Sequence, residues 1–226
     1  MDPLSLREKE IFETLKKIQR HKFVVIGGYA VNAYTLPRFS VDCDIVVKND
    51  EELEDIQMIL VDFGYVKVQA DSEIPYHGRF ERYEKTLPNK FKVSMDILIE
   101  EILDRQTNAT FSADWVFENS SIRRLRGKTI SEELKLRIIN ADALFAMKMI
   151  SCRSTDIRDI FLLITSVDKN TVKKKVEQRY DFHDRWNKLN KEITSKKFKN
   201  GLQGVFGIID ETTFEKHKKL ILELGK

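Results

Sequence analysis

Two aspartates, Asp42 and Asp44, sit one residue apart within residues 40–47, SVDCDIVV, a run that otherwise reads as a buried β-strand. Residues i and i+2 of a strand face the same way, about 7 Å apart at Cα. The two acids should therefore share one face, with Val41, Cys43 and Ile45 turned the other way into a core. Side-by-side carboxylates repel, and hard divalent cations, which prefer oxygen ligands, relieve that repulsion. A third acid, Asp96, stands among Val93, Met95, Ile97 and Leu98 in a second strand pattern. If the two strands are neighbours, three carboxylates converge. That is a donor set for one or two Mg²⁺ or Mn²⁺ ions in phosphoryl transfer. An alternating strand with outward acids is equally a solvated face, and these residues alone leave both readings open.

Upstream, VVIGGYAV carries Gly27-Gly28 straight after an apolar run and just before helix-compatible residues. Glycine lets backbone approach a ligand closely, and a helix N-terminus attracts phosphate. A tight strand-to-helix turn uses the same two residues. The conjunction is more specific than any part of it: strand, Gly-Gly, helix, then Arg38-x-Ser40-x-Asp42-x-Asp44, then an acid on a later strand.

This order, in IGGYAVNAY…RFSVDCDIVV, resembles the signature of the polymerase-β nucleotidyltransferase superfamily, with the likeness covering roughly residues 22–100. The resemblance implies metal-dependent transfer of a nucleoside monophosphate from an NTP such as ATP, with pyrophosphate leaving. It implies that Gly27 and Gly28 hold the triphosphate, that Asp42 and Asp44 ligate metal, and that Asp96 completes the second metal site or acts as general base on the acceptor hydroxyl. The family usually has Ser as the second member of its glycine motif. Gly28 here leaves the phosphates to backbone amides.

A second segment, ADALFAMKMISCRSTDIRDIFLL, is similar to the motif that follows the catalytic domain in abortive-infection (AbiEii-like) nucleotidyltransferase toxins. The matching positions are Asp142, Lys148, Arg153, Asp156 and Asp159. Arg38 and Ser40 fit the same branch and are implied nucleotide contacts. Lys148 is then expected to reach the triphosphate and offset charge as pyrophosphate leaves. A snorkelling Lys on an amphipathic helix is the plainer reading. Asp156 also suits a helix cap, and Asp159 suits an ion pair with Arg153 or Lys148. The branch implies a toxin-like role with an antitoxin as partner.

The elements that must position these residues are legible in outline. Residues 4–20 have the apolar spacing of an amphipathic helix, and 51–63 form a second, with Gly64 just past its end. Short strands are expected over 23–26, 40–47 and 65–69. Residues 79–85 and 90–99 read as two strands joined by a turn at 87–89, and 121–130 as a late hairpin. From about Leu136 the pattern turns helical, with helices over 143–151, 155–166, 170–199 (interrupted near Ser195) and 210–224. The expected fold class is α/β (α+β): a nucleotidyltransferase domain with a short mixed sheet over 1–135 and a helical domain over 136–226, the site lying in the cleft between them. Arg79 and Arg82 face opposite sides of their strand, so at most one reaches the site; Arg79 is preferred of the two, with plain surface charge the favoured alternative.

The chain has 226 residues and is 42% hydrophobic, enough for a sizeable core. Residues 1–135 carry 20 Lys and Arg against 24 Asp and Glu, whereas 136–226 carry 19 against 12. The excess concentrates in 169–199, where Tyr180, Phe182 and Trp186 interleave with Lys and Arg. Such a stretch suits tRNA or other RNA, or else the solvated face of a packed helix. Two distant cysteines, no apolar run near the length of a membrane span and no signal-like N-terminus lead to the expectation of a cytoplasmic, membrane-free protein. A catalytically silent nucleotide- or RNA-binding module on the same fold is the alternative to an active enzyme.

Overall fold

The computed structural model describes residues 2–68, 77–207 and 209–225. The chain clusters into two compact units. The first comprises Met1–Ala33, Phe39–Leu103 and Thr110–Ile139. It opens with α1 (Pro3–Ile18), started by Asp2, whose carboxylate accepts from the Leu4 and Ser5 amides, with Pro3 at the first helical position. Ile11, Leu15 and Ile18 form the buried stripe that the helical spacing predicts. Next come β1 (Val24–Val25), α2 (Gly27–Val31), β2 (Asp42–Val47), α3 (Asp50–Asp62), β3 (Val66–Val68), β4 (Arg79–Thr86) and β5 (Lys92–Ile99). The unit continues with β6 (Glu101–Leu103), β7 (Thr110–Ser112), α4 (Ala113–Glu118), β8 (Ser120–Leu125) and β9 (Leu134–Ile139).

Seven of these strands make one mixed sheet in the order β3-β4-β5-β2-β1-β9-β8, and β6 with β7 make a separate pair. The strand pair that matters for the site is β2–β5. It is parallel, and it sets Asp44 directly beside Asp96. Cys43, Ile45, Met95 and Ile97 are buried on the other face, which anchors the acids in register. Val41 departs from expectation. It precedes the strand and is 59% exposed, so the buried face begins at Cys43.

Three other sequence expectations change. The late hairpin is real but wider: β8 pairs with β9 across a loop over 126–133, and residues 134–139, LKLRII, are a strand with alternating burial rather than the start of the helical part. The turn between β4 and β5 is a short 3₁₀ segment, Pro88–Lys90, centred one residue later than expected. The strand expected over 65–69 is β3, and Gln69 lies outside the described residues.

The second unit comprises Tyr34–Arg38, Asp104–Ala109 and Asn140–Lys226. Its helices are α5 (Ala141–Ser151), α6 (Ser154–Leu163), α7 (Lys169–Glu177), α8 (Phe182–Ile193), α9 (Lys196–Phe206) and α10 (Glu211–Leu224). The long basic helix expected over 170–199 is three helices. Asp181 caps α8 by accepting from the Asp184 amide, and Ser195 caps α9 by accepting from the Phe198 amide. Each cap supplies the oxygen that starts a new helix, and the chain breaks there. The interleaved aromatics are packed: Phe182 is buried, Trp186 donates its indole N–H to the Ile221 carbonyl, and the Arg185 guanidinium lies 4.1 Å from the Tyr180 ring centre. Among the described residues, no helix is long and apolar enough to cross a membrane.

Candidate active site

In the first unit, the geometry is built around Asp44. Gly27 has φ +63°, the left-handed region that favours glycine, and a Cβ at that position would collide with the Asp44 carboxylate. The glycine is therefore what lets this carboxylate lie against the turn into α2. Backbone pairing fixes the approach further, because the Ile26 amide donates to the Asp44 carbonyl at 3.0 Å. Gly28 follows, buried in the first turn of α2, a helix whose N-terminus has no side-chain cap. The two glycines and Asp44 thus form one local assembly.

Asp42 lies two residues before Asp44 on the same strand, is half-exposed, and receives a long hydrogen bond from the Ser40 hydroxyl at 3.5 Å. Asp96 is buried and holds a bidentate pair with Arg82, with Nε to Oδ1 at 2.8 Å and Nη2 to Oδ2 at 2.6 Å. Arg82 also stands 4.0 Å from Asp42. Burial raises the Asp96 carboxyl above the usual carboxylate range, and the attraction of Arg82 offsets this only in part. The hydrogen bond to Asp96 holds Arg82 firmly in its charged form.

Arg82 is the candidate that sequence reasoning ranked behind Arg79. The register pairs it directly with Asp96, whereas Arg79 pairs with Ile99 and forms a surface ion pair with Asp50. Arg79 is therefore a surface charge, and of the two arginines it is Arg82 that stands beside the acids.

Asp42 and Asp44 offer hard oxygen donors, which suit Mg²⁺ or Mn²⁺. Among the described residues, no three His, Cys, Asp or Glu side chains are arranged to hold a metal ion. Both oxygens of the Asp96 carboxylate accept from Arg82, so this acid is already engaged by a guanidinium.

In the second unit, the remaining candidates form a buried ionic knot. Lys148 is buried on α5, and its ammonium lies 2.8 Å from Asp159 and 3.2 Å from Asp156. Arg38 makes a bidentate pair with Asp159, both contacts at 2.8 Å. Asp156 accepts from the Ser151 hydroxyl at 3.0 Å and from the Arg153 Nε at 2.8 Å. It also accepts from the Arg153 amide, which makes it the capping acid of α6. Burial favours the neutral form of Asp156, but Lys148 and Arg153 overcome it and hold the carboxyl below the usual range. Burial, Lys148 and Arg38 combine to the same net result at Asp159. Burial works against the Lys148 charge, and Asp159 and Asp156 outweigh it, raising its pKa. Asp142, elsewhere on α5, accepts from the Asp168 amide at 2.7 Å.

The profile of the family described as nucleotidyl transferase AbiEii toxin, type IV TA system, matches residues 12–223. Among solved structures, JHP933 from Helicobacter pylori is 14% identical with a TM-score of 0.55, covering 100% of this chain and 93% of that one. A nucleotidyltransferase candidate from H. pylori is 15% identical with a TM-score of 0.56, covering 100% of this chain and 96% of that one. At these identities the likeness speaks for the fold. No curated protein matches the chain.

Proposed function

We propose that this chain, which belongs to the AbiEii nucleotidyltransferase toxin family, transfers a nucleoside monophosphate from an NTP to a hydroxyl acceptor at the Asp42–Asp44–Asp96 face of its sheet. Nucleotidyl transfer is the chemistry of the family, and its place in a type IV toxin–antitoxin system implies an antitoxin counterpart. The observation that carries the site assignment is the pairing of Asp44 with Asp96 on parallel strands, with Gly27 closing on Asp44 from the side.

Asp42 and Asp44 are the residues that would hold a divalent cation. What such a cation supplies, when bound, is neutralisation of charge on the phosphate oxygens. The backbone at Gly27 and Gly28 approaches the triphosphate. Asp96 takes the proton of the acceptor hydroxyl as its oxygen bonds to the α-phosphorus, and the bond from that phosphorus to the β-phosphate oxygen breaks, releasing pyrophosphate. For Lys148 and Arg38 the geometry supports a positioning role. Both cations are engaged with Asp159, so they tie residues 34–38, α5 and α6 together.

The acceptor is a tRNA 3′ end, a protein hydroxyl or a small molecule. The test is incubation of α-labelled NTPs with total RNA, with protein and with small-molecule alcohols, with and without Mg²⁺ or Mn²⁺. Label should pass to one acceptor class, and the Asp42→Ala, Asp44→Ala double variant should lose at least about a thousandfold in rate. Stabilisation by NTP without transfer of label to any acceptor would instead support a catalytically silent nucleotide-binding module.

A further inference from the structure

Apart from the acid cluster, the first unit carries a cavity of about 650 Å³ at the other end of the sheet. Lys48, just past the end of β2, lines it, with about 20 Å of strand between Asp42 and that end. The floor is apolar: Phe23, Leu136 and Phe117, with Ile122 on the edge strand β8. Ile122 is 62% exposed, a large aliphatic side chain standing in solvent beside an open cavity. The rim is cationic. Lys22, Lys135 and Arg137 line it, against the acids Glu52 and Glu118, while Lys48, also in the lining, is paired with Asp114 at 2.6 Å.

The sheet face beside the cavity is organised in the same way. Across β8 and β9, Ile122 sits opposite Arg137, and Arg124 sits opposite Lys135. Like charges directly opposite each other destabilise a strand pair. Here Glu133, 3.3 Å from Arg124, is the acid that accompanies them. Folding alone does not call for two cations in register around an exposed isoleucine, whereas an anionic partner does.

We infer that this cavity and the β8–β9 face dock an acidic protein segment. The segment places a bulky apolar side chain against Ile122 and Phe117, and its carboxylates meet Lys22, Lys135 and Arg137. A peptide fits better than a nucleic acid because the floor offers no bare aromatic platform. Phe23 is buried, and the Lys48 ammonium stands 5.0 Å from the centre of the Phe117 ring. Base stacking needs an open ring face. An aliphatic anchor with flanking acids needs what is present. The dimensions are those of ordinary ligand pockets, about 300–1,000 Å³.

The test is selection of a displayed library of random peptides, about twelve residues long, on the whole protein. Binding of the selected peptides is then measured by fluorescence anisotropy. Enriched sequences should carry acids on both sides of a Leu, Ile, Met or Phe. Lys135→Glu with Arg137→Glu should weaken them about tenfold or more, as should raising salt. Ile122→Ser should weaken them about fivefold and leave nucleotidyl transfer unchanged. These positions are exposed, and an unchanged thermal midpoint serves as the check on folding. Enrichment of non-acidic peptides, no enrichment at all, or affinities unmoved by the three substitutions would overturn the inference. So would a single-stranded oligouridine of similar length that binds more tightly than the peptides and is lost on charge reversal.

Discussion

Arg82 and Asp96 face each other across the β4–β5 pair and share two hydrogen bonds, so the deepest acid of the candidate site already has a fixed cation. The pair couples cation binding to stability. Arg82→Met removes a positive charge that stands 4.0 Å from Asp42. Affinity for Mn²⁺, read from the free-ion signal in electron paramagnetic resonance, should rise about three- to tenfold. The thermal midpoint should fall, because Asp96 then keeps a buried, unpaired carboxylate, at a cost of about 3 kcal/mol. Arg79→Met, which breaks only the surface pair with Asp50, should change stability by less than about 1 kcal/mol. Equal Mn²⁺ affinity in wild type and Arg82→Met would sink the coupling.

Gly27 and Asp44 make a second coupled pair. Gly27→Ala forces a side chain into a positive-φ position and onto the Asp44 carboxylate, and should cost about 2–3 kcal/mol by urea unfolding. In the Asp44→Ala background the collision is relieved, so the same substitution should cost about 1 kcal/mol less. Strict additivity in this double-mutant cycle would show that the two residues do not touch in solution.

The ionic knot around Lys148 gives a third expectation. Asp159→Asn leaves Lys148 and Arg38 without their shared carboxylate and should destabilise by about 3–5 kcal/mol, as loss of one partner of a buried pair does. Arg153 is largely exposed, so Arg153→Gln should cost about 1 kcal/mol or less. If the Asp159 and Arg153 variants unfold at the same urea concentration, the knot has no structural weight and Lys148 returns as a candidate contact to the triphosphate.

Acid should weaken the helical unit in two stages. Burial lowers the pKa of His217, which shares a 2.9 Å hydrogen bond with the Phe161 carbonyl. A group that binds its proton less well folded than unfolded loses stability as pH falls through the unfolded value, about 6.5. Asp156 and Asp159 have lowered pKa values as well, so their contribution is complete above the ordinary carboxylate value, about 4, and disappears as pH falls below it. Urea midpoints between pH 8 and pH 3 should show both declines. His217→Gln should remove the first and leave the second. A flat profile down to pH 5 in the wild type would contradict the first stage.

The D-x-D strand, its buried partner face and the glycine turn were all readable from the sequence, because period-two alternation and paired glycines are local signals. Arg82 was not readable, because choosing between it and Arg79 requires the register of the hairpin. Centring the turn on residue 89 reflects Asp96 onto Arg82. Centring it on 88, the middle of the expected turn, reflects Asp96 onto Phe80 instead. A one-residue error in a turn moves the partner by two. The helical unit failed in a related way. Asp181 carries a cap signal, but the surrounding run of Lys and Arg reads as one polar helix as far as Ser195. Residues 134–139 alternate as a strand should, yet six residues beside a long helical pattern were absorbed into it. In the ionic knot the Lys148–Asp159 pair was one of the readings the sequence left open, whereas Arg38 reaches Asp159 from 121 residues away in the chain, which no local pattern announces.

The parallel pairing of β9 with β1 has a consequence during synthesis. Every acid and glycine of the candidate site has been translated by residue 96, but β1 is only two residues long and is flanked on one side by β9, which ends at Ile139. A nascent chain that stops before Ile139 leaves β1 as a bare edge next to the glycine turn. Premature termination over that interval therefore yields fragments that contain the whole D-x-D motif without a completed sheet to hold it.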